Sequence, residues 1–468
     1  MLTRFSETFA RLRSLVGKAI AGNAQAALDA LAQSYTVTRA INLYHGIMAP
    51  QLKVKAGDPD DNVLVNYAQI IVNKSVAFLF GKPLKISVGG DNDPRGEAYL
   101  EKVWSQGQRD EEFQELAQDA ALVGHAYLKI VIDGQSTPRV VTLDPATMAV
   151  EVDPHEQSRV VSFVCEYPLG ERAIFRETTT RSGDGRTWQI DQSVSHDGGK
   201  VFTPAGDSVT WNFSFPPIFH CKNLPNPRSV YGRPDLDEQI MRLVEYISRL
   251  DSMCGKIVRM HASPKPWARN LKRQDLEWGT DGMLFLNPAG AIGGGQKSVE
   301  AEIGLLEMHN DISTALALRA VLREGLAEVS GVPEIASGKV GALGQLAGVA
   351  LRILYGPLIE KTELKRLRFG RMIRECVEAL LVIGRIDKPG AVVLHWSDPL
   401  PGDELEKARV AEAKQRVGFS PDTLIRELGG DPKKELAQGR ATAARVGSEL
   451  LDGFNRGDVA EGDERLAA

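Results

Sequence analysis

The stretch Pro234–Met260, PDLDEQIMRLVEYISRLDSMCGKIVRM, decides the reading of this chain. Its apolar positions Leu236, Ile240, Leu243, Ile247, Leu250, Cys254 and Ile257 alternate steps of four and three. That spacing holds one apolar seam along a helix for about three heptads, as in helices packed lengthwise on neighbours. Gly232 and Pro234 mark the start, where the amide that proline lacks has no helical partner anyway. Asp235, Asp237 and Glu238 then lie at the positive end of the helix dipole, and Pro264 stops the helix. At 1.5 Å per residue it is about 40 Å long. The next long apolar pattern, Asn310–Ser330, is a helix of about 20 residues and does not cover the seam alone. The surplus predicts lateral neighbours, and head-to-tail contacts between copies close into a ring.

Upstream, residues 1–50 read as a basic amphipathic surface helix followed by a polar connection; they lack the apolar core of a secretory signal. A second helical pattern runs from Asn62 to Phe80 and stops at Gly81-Lys82-Pro83. Further helical segments lie near Gly96–Trp104 and Asp110–Val123. Short runs rich in Val, Thr and aromatics follow, among them AYLKIVID, RVVSFVCEYP, RAIFRETTT and TWQIDQSV. Asp133-Gly134 and Asp184-Gly185 supply hairpin turns, so this region is an antiparallel sheet. Downstream of the seam helix lies an irregular insert rich in Pro and Gly, with MLFLNP and SVEAEIGLL as short strands. The helix at Asn310–Ser330 takes Asn310 or Asp311 as N-cap and ends at Gly331 and Pro333. A glycine-punctuated loop, 332–348, leads into a helix to about Ile383 that Gly356-Pro357 should kink. A strand, AVVLHW, two short helices and a tail with little to bury complete the chain.

Composition narrows the function. The 468 residues exceed one core and predict several structural regions. A net charge of -5 argues against a protein that coats DNA phosphates, but not against a channel through which DNA slides. The four cysteines are far apart, with no C-x-x-C, so neither a disulfide framework nor a zinc site is expected. No apolar run reaches the ~20 residues needed to span a bilayer.

Catalytic patterns fail on spacing. In GAIGGGQKS, 290–298, Gln296 displaces Lys297 by one position from a phosphate-binding loop, and a strand rather than a helix follows. SGKVG, 337–341, lacks the upstream glycine. There is no H-E-x-x-H and no G-x-S-x-G. The pairs Asp235/Asp237 and Glu111/Glu112 read as helix-start or solvated charges. No enzyme, metal or cofactor is expected. The basic face is more informative: over 361–376 the net charge is +4, with Lys361, Lys365 and Arg368 at i, i+4, i+7. It reads as a solvated or salt-bridging face, or as one that meets phosphates. Lys339, Val340, Gly341 and Leu343 mark the loop tip, where Val340 and Leu343 are too apolar to be freely solvated; the alternative for this loop is a slack connector.

The run PPIFHCKNLPNPRSVYGRPDLDEQIMRLVEYISRLDS, 216–252, resembles the segment that leads into the first stem helix of bacteriophage portal proteins. NYAQIIVNKSVAFLFGKPLKI at 66–86, SGVPEIASG at 330–338, WSDPLPGDELEKA at 396–408 and FSPDTLIRELGG at 419–430 follow the family's order. The resemblance implies an α+β subunit: a wing (1–230), stem helix 1 (231–262), a small α/β clip (263–307), stem helix 2 (308–331) and a tunnel loop (332–348). A kinked tunnel helix (349–384), a return strand of the wing (385–402) and a helical crown with a disordered tail (403–468) follow. It implies a non-enzymatic, dodecameric head-tail connector at one capsid vertex, assembled in the host cytoplasm, for DNA packaging and ejection. The implied partners are double-stranded DNA, the large terminase, head-completion or adaptor proteins, and the major capsid and scaffold proteins; a membrane is not among them. Leu236, Ile240, Leu243, Ile247 and Leu250 would be the ring-assembly seam. The alternatives are a P-loop motor subunit and a tail or baseplate ring without DNA passage.

Overall fold

The computed structural model describes residues 35–427, 435, 436 and 438, except 55–59, 90–92, 105–107, 133–136, 154, 157–158, 171, 228, 263–264, 270–275, 279–283, 287–301, 307–311, 338–347, 387–389 and 401–403. The N-terminal amphipathic stretch to residue 34, the turn Asp133-Gly134, the caps Asn310 and Asp311, the stop Pro264, the loop tip and the C-terminal tail lie outside the described residues.

After a helical stretch at 35–44, helix α1 (Tyr67–Phe80) is capped by Asn66, whose side chain accepts from the Gln69 amide. Strand β1 (Lys85–Val88), α2 (Pro94–Trp104) and α3 (Arg109–Val123) follow. Two antiparallel sheets come next. One has the order β10-β2-β3, from β2 (His125–Val131), β3 (Arg139–Leu143) and β10 (Ile218–Lys222). The other has the path β4-β5-β6-β7-β8, from β4 (Met148–Val152), β5 (Val160–Pro168), β6 (Ile174–Arg181), β7 (Trp188–Ser195) and β8 (Thr203–Pro204). There β9 (Val209–Trp211) also pairs with β7. Register places Phe163 opposite Thr179, and Trp188 opposite Trp211, all buried, while the adjacent Thr180, Gln189 and Thr210 face solvent. This period-two alternation is what one covered face requires. Asp184-Gly185 sits in the β6–β7 turn, with Gly185 at φ +69°.

The seam helix is α4 (Glu238–Ala262), about 37 Å long. It starts four residues later than the sequence suggests: Asp237 is the cap, its carboxylate accepting from the Ile240 amide at 3.0 Å. Pro234 and Asp235 belong to the turn before it. Between α4 and the next long helix the described residues include two pairs of strands, β11 (Lys265–Arg269) with β14 (Glu302–Leu306), and β12 (Leu276–Trp278) with β13 (Leu284–Leu286). Helix α5 (Ser313–Ser330) packs on α4 and ends at Gly331, whose φ of +67° is open to glycine at little cost.

In place of one kinked helix, α6 (Gly348–Leu354) and α7 (Gly356–Ile383) are separated at Tyr355, with Pro357 in the first turn of α7. Pro needs no amide partner there, so Gly356-Pro357 starts a helix rather than bending one. Strand β15 (Val392–His395) returns to pair antiparallel with β1. Residues 346–351 and 400–468 form a separate compact unit. Its described helices are α8 (Glu404–Arg416) and α9 (Pro421–Glu427), joined through Gly418 at φ +102°.

Candidate functional site: the root and faces of the stem

The buried row on α7 runs Leu358, Thr362, Lys365, Phe369, Met372/Ile373 and Cys376. A lysine thus occupies a core position at helical spacing, and it requires an anion. Asp235 supplies it. Lys365 Nζ donates to Asp235 Oδ2 at 2.6 Å and to Ser75 Oγ at 2.8 Å. Lys361 Nζ lies 3.3 Å from Asp235 Oδ1 and donates to the Ser330 carbonyl at 2.9 Å. Asn223 Nδ2 donates to Asp235 Oδ1 at 3.2 Å, and the Asp235 amide donates to the Ala121 carbonyl at 2.7 Å. Asp235, through its carboxylate, its amide and the two lysines, therefore joins α1, the end of α3, the turn before α4, the last turn of α5 and α7. Lys361 also places a cation at the negative end of the α5 dipole.

Burial works to raise the Asp235 carboxyl, but the Lys361 and Lys365 ammoniums outweigh it and hold it well below the usual carboxylate range. Burial pushes Lys365 down, against the opposing pull of Asp235. Asp235 is reached because the chain turns tightly just ahead of it. Gly124, at φ +103°, and Gly232 pass so closely that a Cβ on Gly124 would lie 2.5 Å from the Gly232 carbonyl oxygen.

These contacts correct two expectations. Asp235 is not a solvated helix-start charge, and Lys361 and Lys365 do not face phosphates: Lys365 is 1% exposed and both are held by Asp235. Of the other bases on that helix, Arg366 pairs with Glu363 and the Ser397 carbonyl, and Arg371 pairs with Glu375. Arg368 is half-buried and makes no ion pair among the described residues.

The seam divides in two. Leu236, Ile240 and Ile247 are buried inside the protomer, so they are not a ring-assembly surface. The cover comes from α1, α5 and the stretch 35–44, whose Arg39 pairs with Glu238 at 2.8 Å and Glu245 at 2.6 Å. Sequence reasoning counted a single partner helix. Leu243 and Leu250 are half-buried and share the opposite face with Tyr246, 51% exposed, and Met253. On α5, Leu318, Val321 and Val329 form a second exposed apolar row. Arg319 on α5 pairs with Asp251 on α4, while Arg259 with Asp61 at 2.6 Å and the Val63 amide to Ser252 Oγ at 2.9 Å tie α4 to the stretch before α1. Lys339, Val340, Gly341 and Leu343 at the loop tip, and Lys297 in the insert, lie outside the described residues.

Among the described residues no helix is long and apolar enough to cross a membrane, and no group of three or more His, Cys, Asp or Glu is placed to hold a metal.

The family model described as "Phage portal protein, SPP1 Gp6-like" matches residues 29–196 and 233–446. The chain belongs to this family, a structural one, and is a subunit of a portal ring at a capsid vertex. Solved structures it resembles include the neck of an empty GTA particle computed with C6 symmetry: 15% identity, 85% of this chain and 94% of that one, TM-score 0.48. Another is the virion of a native gene transfer agent (GTA) particle: 16% identity, 85% of this chain and 99% of that one, TM-score 0.46. The assignment rests on the family match. No curated protein sequence matches the chain.

Proposed function

We propose that copies of this chain close into a dodecameric channel for double-stranded DNA during packaging and ejection, assembled in the host cytoplasm with scaffold and major capsid proteins. The insert at 263–307 docks the large terminase, then head-completion proteins. The loop at 332–348 carries Lys339, Val340, Gly341 and Leu343 to the DNA. A single lysine per subunit, multiplied round a ring, touches phosphates without holding them, as sliding requires.

The observation that carries the ring is the pair of apolar rows, half-buried to exposed on α4 and exposed on α5. Leu243, Tyr246, Leu250 and Met253 on α4 meet Leu318, Val321 and Val329 on α5 of the next copy, a heterologous contact that repeats until it closes. Tyr246→Asp or Val321→Asp should give monomers in light scattering while thermal melting stays near wild type, because neither side chain belongs to the protomer core. Rings of unchanged mass from both variants would overturn this assignment of the contact. A wild-type ring that admits no duplex DNA in electron micrographs would overturn the channel instead.

A further inference from the structure

A second polar cluster lies where β2 and β10 meet the segment leading into α4. His125 is 2% exposed and Tyr127 0% exposed. Register sets His220 opposite Tyr127, and Lys222 opposite His125. Tyr127 stacks on His220 with centroids 4.9 Å apart. His125 stands edge-on to Tyr127 at 5.4 Å, tilted against Tyr231 at 4.8 Å and 5.9 Å from His220. Both His125 nitrogens, the Tyr127 hydroxyl and His220 Nε2 are buried without a hydrogen-bond partner in the protein. The Pro145 carbonyl bears on His125 but makes no bond of regular geometry. Four unpaired polar atoms in one place are uncommon in a folded core and ask for a reason.

The cluster occupies a junction. Tyr231, against His125, accepts the Val150 amide at 3.0 Å, so it links β4, the edge of the six-stranded sheet, to the chain entering α4. The neighbouring carboxylates are engaged away from the imidazoles: Asp144, next to Pro145, accepts the Ala146 amide at 2.9 Å, and Asp119 on α3 bears on Asp144. From β10 come His220, Cys221 and Lys222, whose Nζ is held by the Asn226 and Ser229 carbonyls. Tyr127 comes from β2 and Tyr231 from the segment before α4. The nearby carboxylates act elsewhere: Glu151 on β4 bears on Tyr231, and Glu375 on α7 bears on Cys221. From α7, Arg368 bears on Cys221 and Lys222.

We propose that His125, Tyr127, His220 and Tyr231 form a proton-sensitive joint between the wing sheet and the root of the stem, closed while both imidazoles are neutral and opened when either takes a proton. Closed, the neutral rings pack as plates, with no partner in the protein for these four atoms. Opening gives the proton water to bind, so acid favours the open form. The chemistry agrees in direction. Burial pushes His125 down to about 4, and burial, with the His125 and Lys222 charges, pushes His220 down to about 3.

Amide hydrogen exchange of the full chain between pH 7.5 and 5, corrected for intrinsic rates, tests it. In wild type the opening constant read at 125–131, 148–152 and 218–224 should rise about tenfold per pH unit below about 6.5 for each imidazole released. In His125→Phe/His220→Phe, which keeps the stacked plates, that rise should vanish. A flat wild-type profile, or the same rise in the double variant, would overturn the joint. Lys222→Met gives a readout that does not depend on the double variant folding. Removing its ammonium relieves the closed His220 imidazolium of a like charge, so the acid-driven rise should be smaller than in wild type, and an unreduced rise also counts against the proposal.

Discussion

Two buried polar clusters lie on either side of the turn into α4, and they are built on opposite rules. Around Asp235 the charges are answered: two ammoniums, a hydroxyl, the Asn223 side-chain amino group and two backbone carbonyls share one network, in which Asn223 Oδ1 alone has no partner in the protein. Around His125 and His220 the polar atoms are left without partners. The first cluster is charged and tolerates burial because its charges are paired. The second tolerates burial because it is neutral. The difference teaches that, at the entry to α4, polarity serves two ends. A satisfied network holds one arrangement of five elements, while an unsatisfied one is stable only over a range of pH.

The largest effect should come from breaking the satisfied network. Lys365→Met leaves Asp235 buried with Lys361 alone, 3.3 Å away. Removing one partner of a buried pair costs about 3–5 kcal/mol, so chemical denaturation should show a loss of that order. A loss below about 1 kcal/mol would erase the contrast, placing Asp235 among ordinary surface pairs.

The unsatisfied cluster should respond to pH, not only to substitution. A histidine held at about 4 in the folded chain and near 6.5 unfolded lets the unfolded state bind more protons between those values. Stability from His125 is therefore complete above about 6.5 and lost as pH falls to about 4, some ~3 kcal/mol across the window. Melting temperature measured from pH 7.5 to 4.5 should fall with acid in wild type and fall less in His125→Phe. Equal slopes would remove the imidazole from the account.

Much of the fold could be read from residue patterns. The four-three alternation located α4, Gly331 marked the end of α5, and the Val/Thr-rich runs located the strands. The ordered motifs pointed to the portal family across nearly the whole chain. What was not legible depends on separations that no local pattern encodes. Asp235 meets Lys365 130 residues later and Ser75 shares that lysine from 290 residues earlier. His125 meets His220 only through the β2–β10 register. One signal was available: Lys365 falls in the apolar row 358, 362, 365, 369, 372, 376 of its helix. A base in such a row belongs to the core and needs a carboxylate. The seam was misassigned for a related reason. Periodicity shows that a helix has an apolar face, not whether that face meets its own chain or another copy.

The smallest expected effect sharpens the comparison most economically. By sequence, Lys361, Lys365 and Arg368 share one face of a basic stretch that also holds Arg366, Arg371 and Arg374; by packing these bases are not alike. Arg371 is 80% exposed at its side chain and pairs with Glu375, 45% exposed, at 2.8 Å one turn along the same helix. Such i, i+4 pairs in water are worth about 0.3–0.5 kcal/mol, because solvent screens them and two long side chains must be ordered. Arg371→Ala should therefore shift unfolding by no more than about 0.5 kcal/mol, and less at high salt. Lys365→Met, six residues earlier on that helix, should be unaffected by salt, since its partner is beyond the reach of mobile ions. A measured cost for Arg371→Ala approaching that of Lys365→Met would mean that burial does not separate the two. In that case the helix would have to be treated as one electrostatic surface.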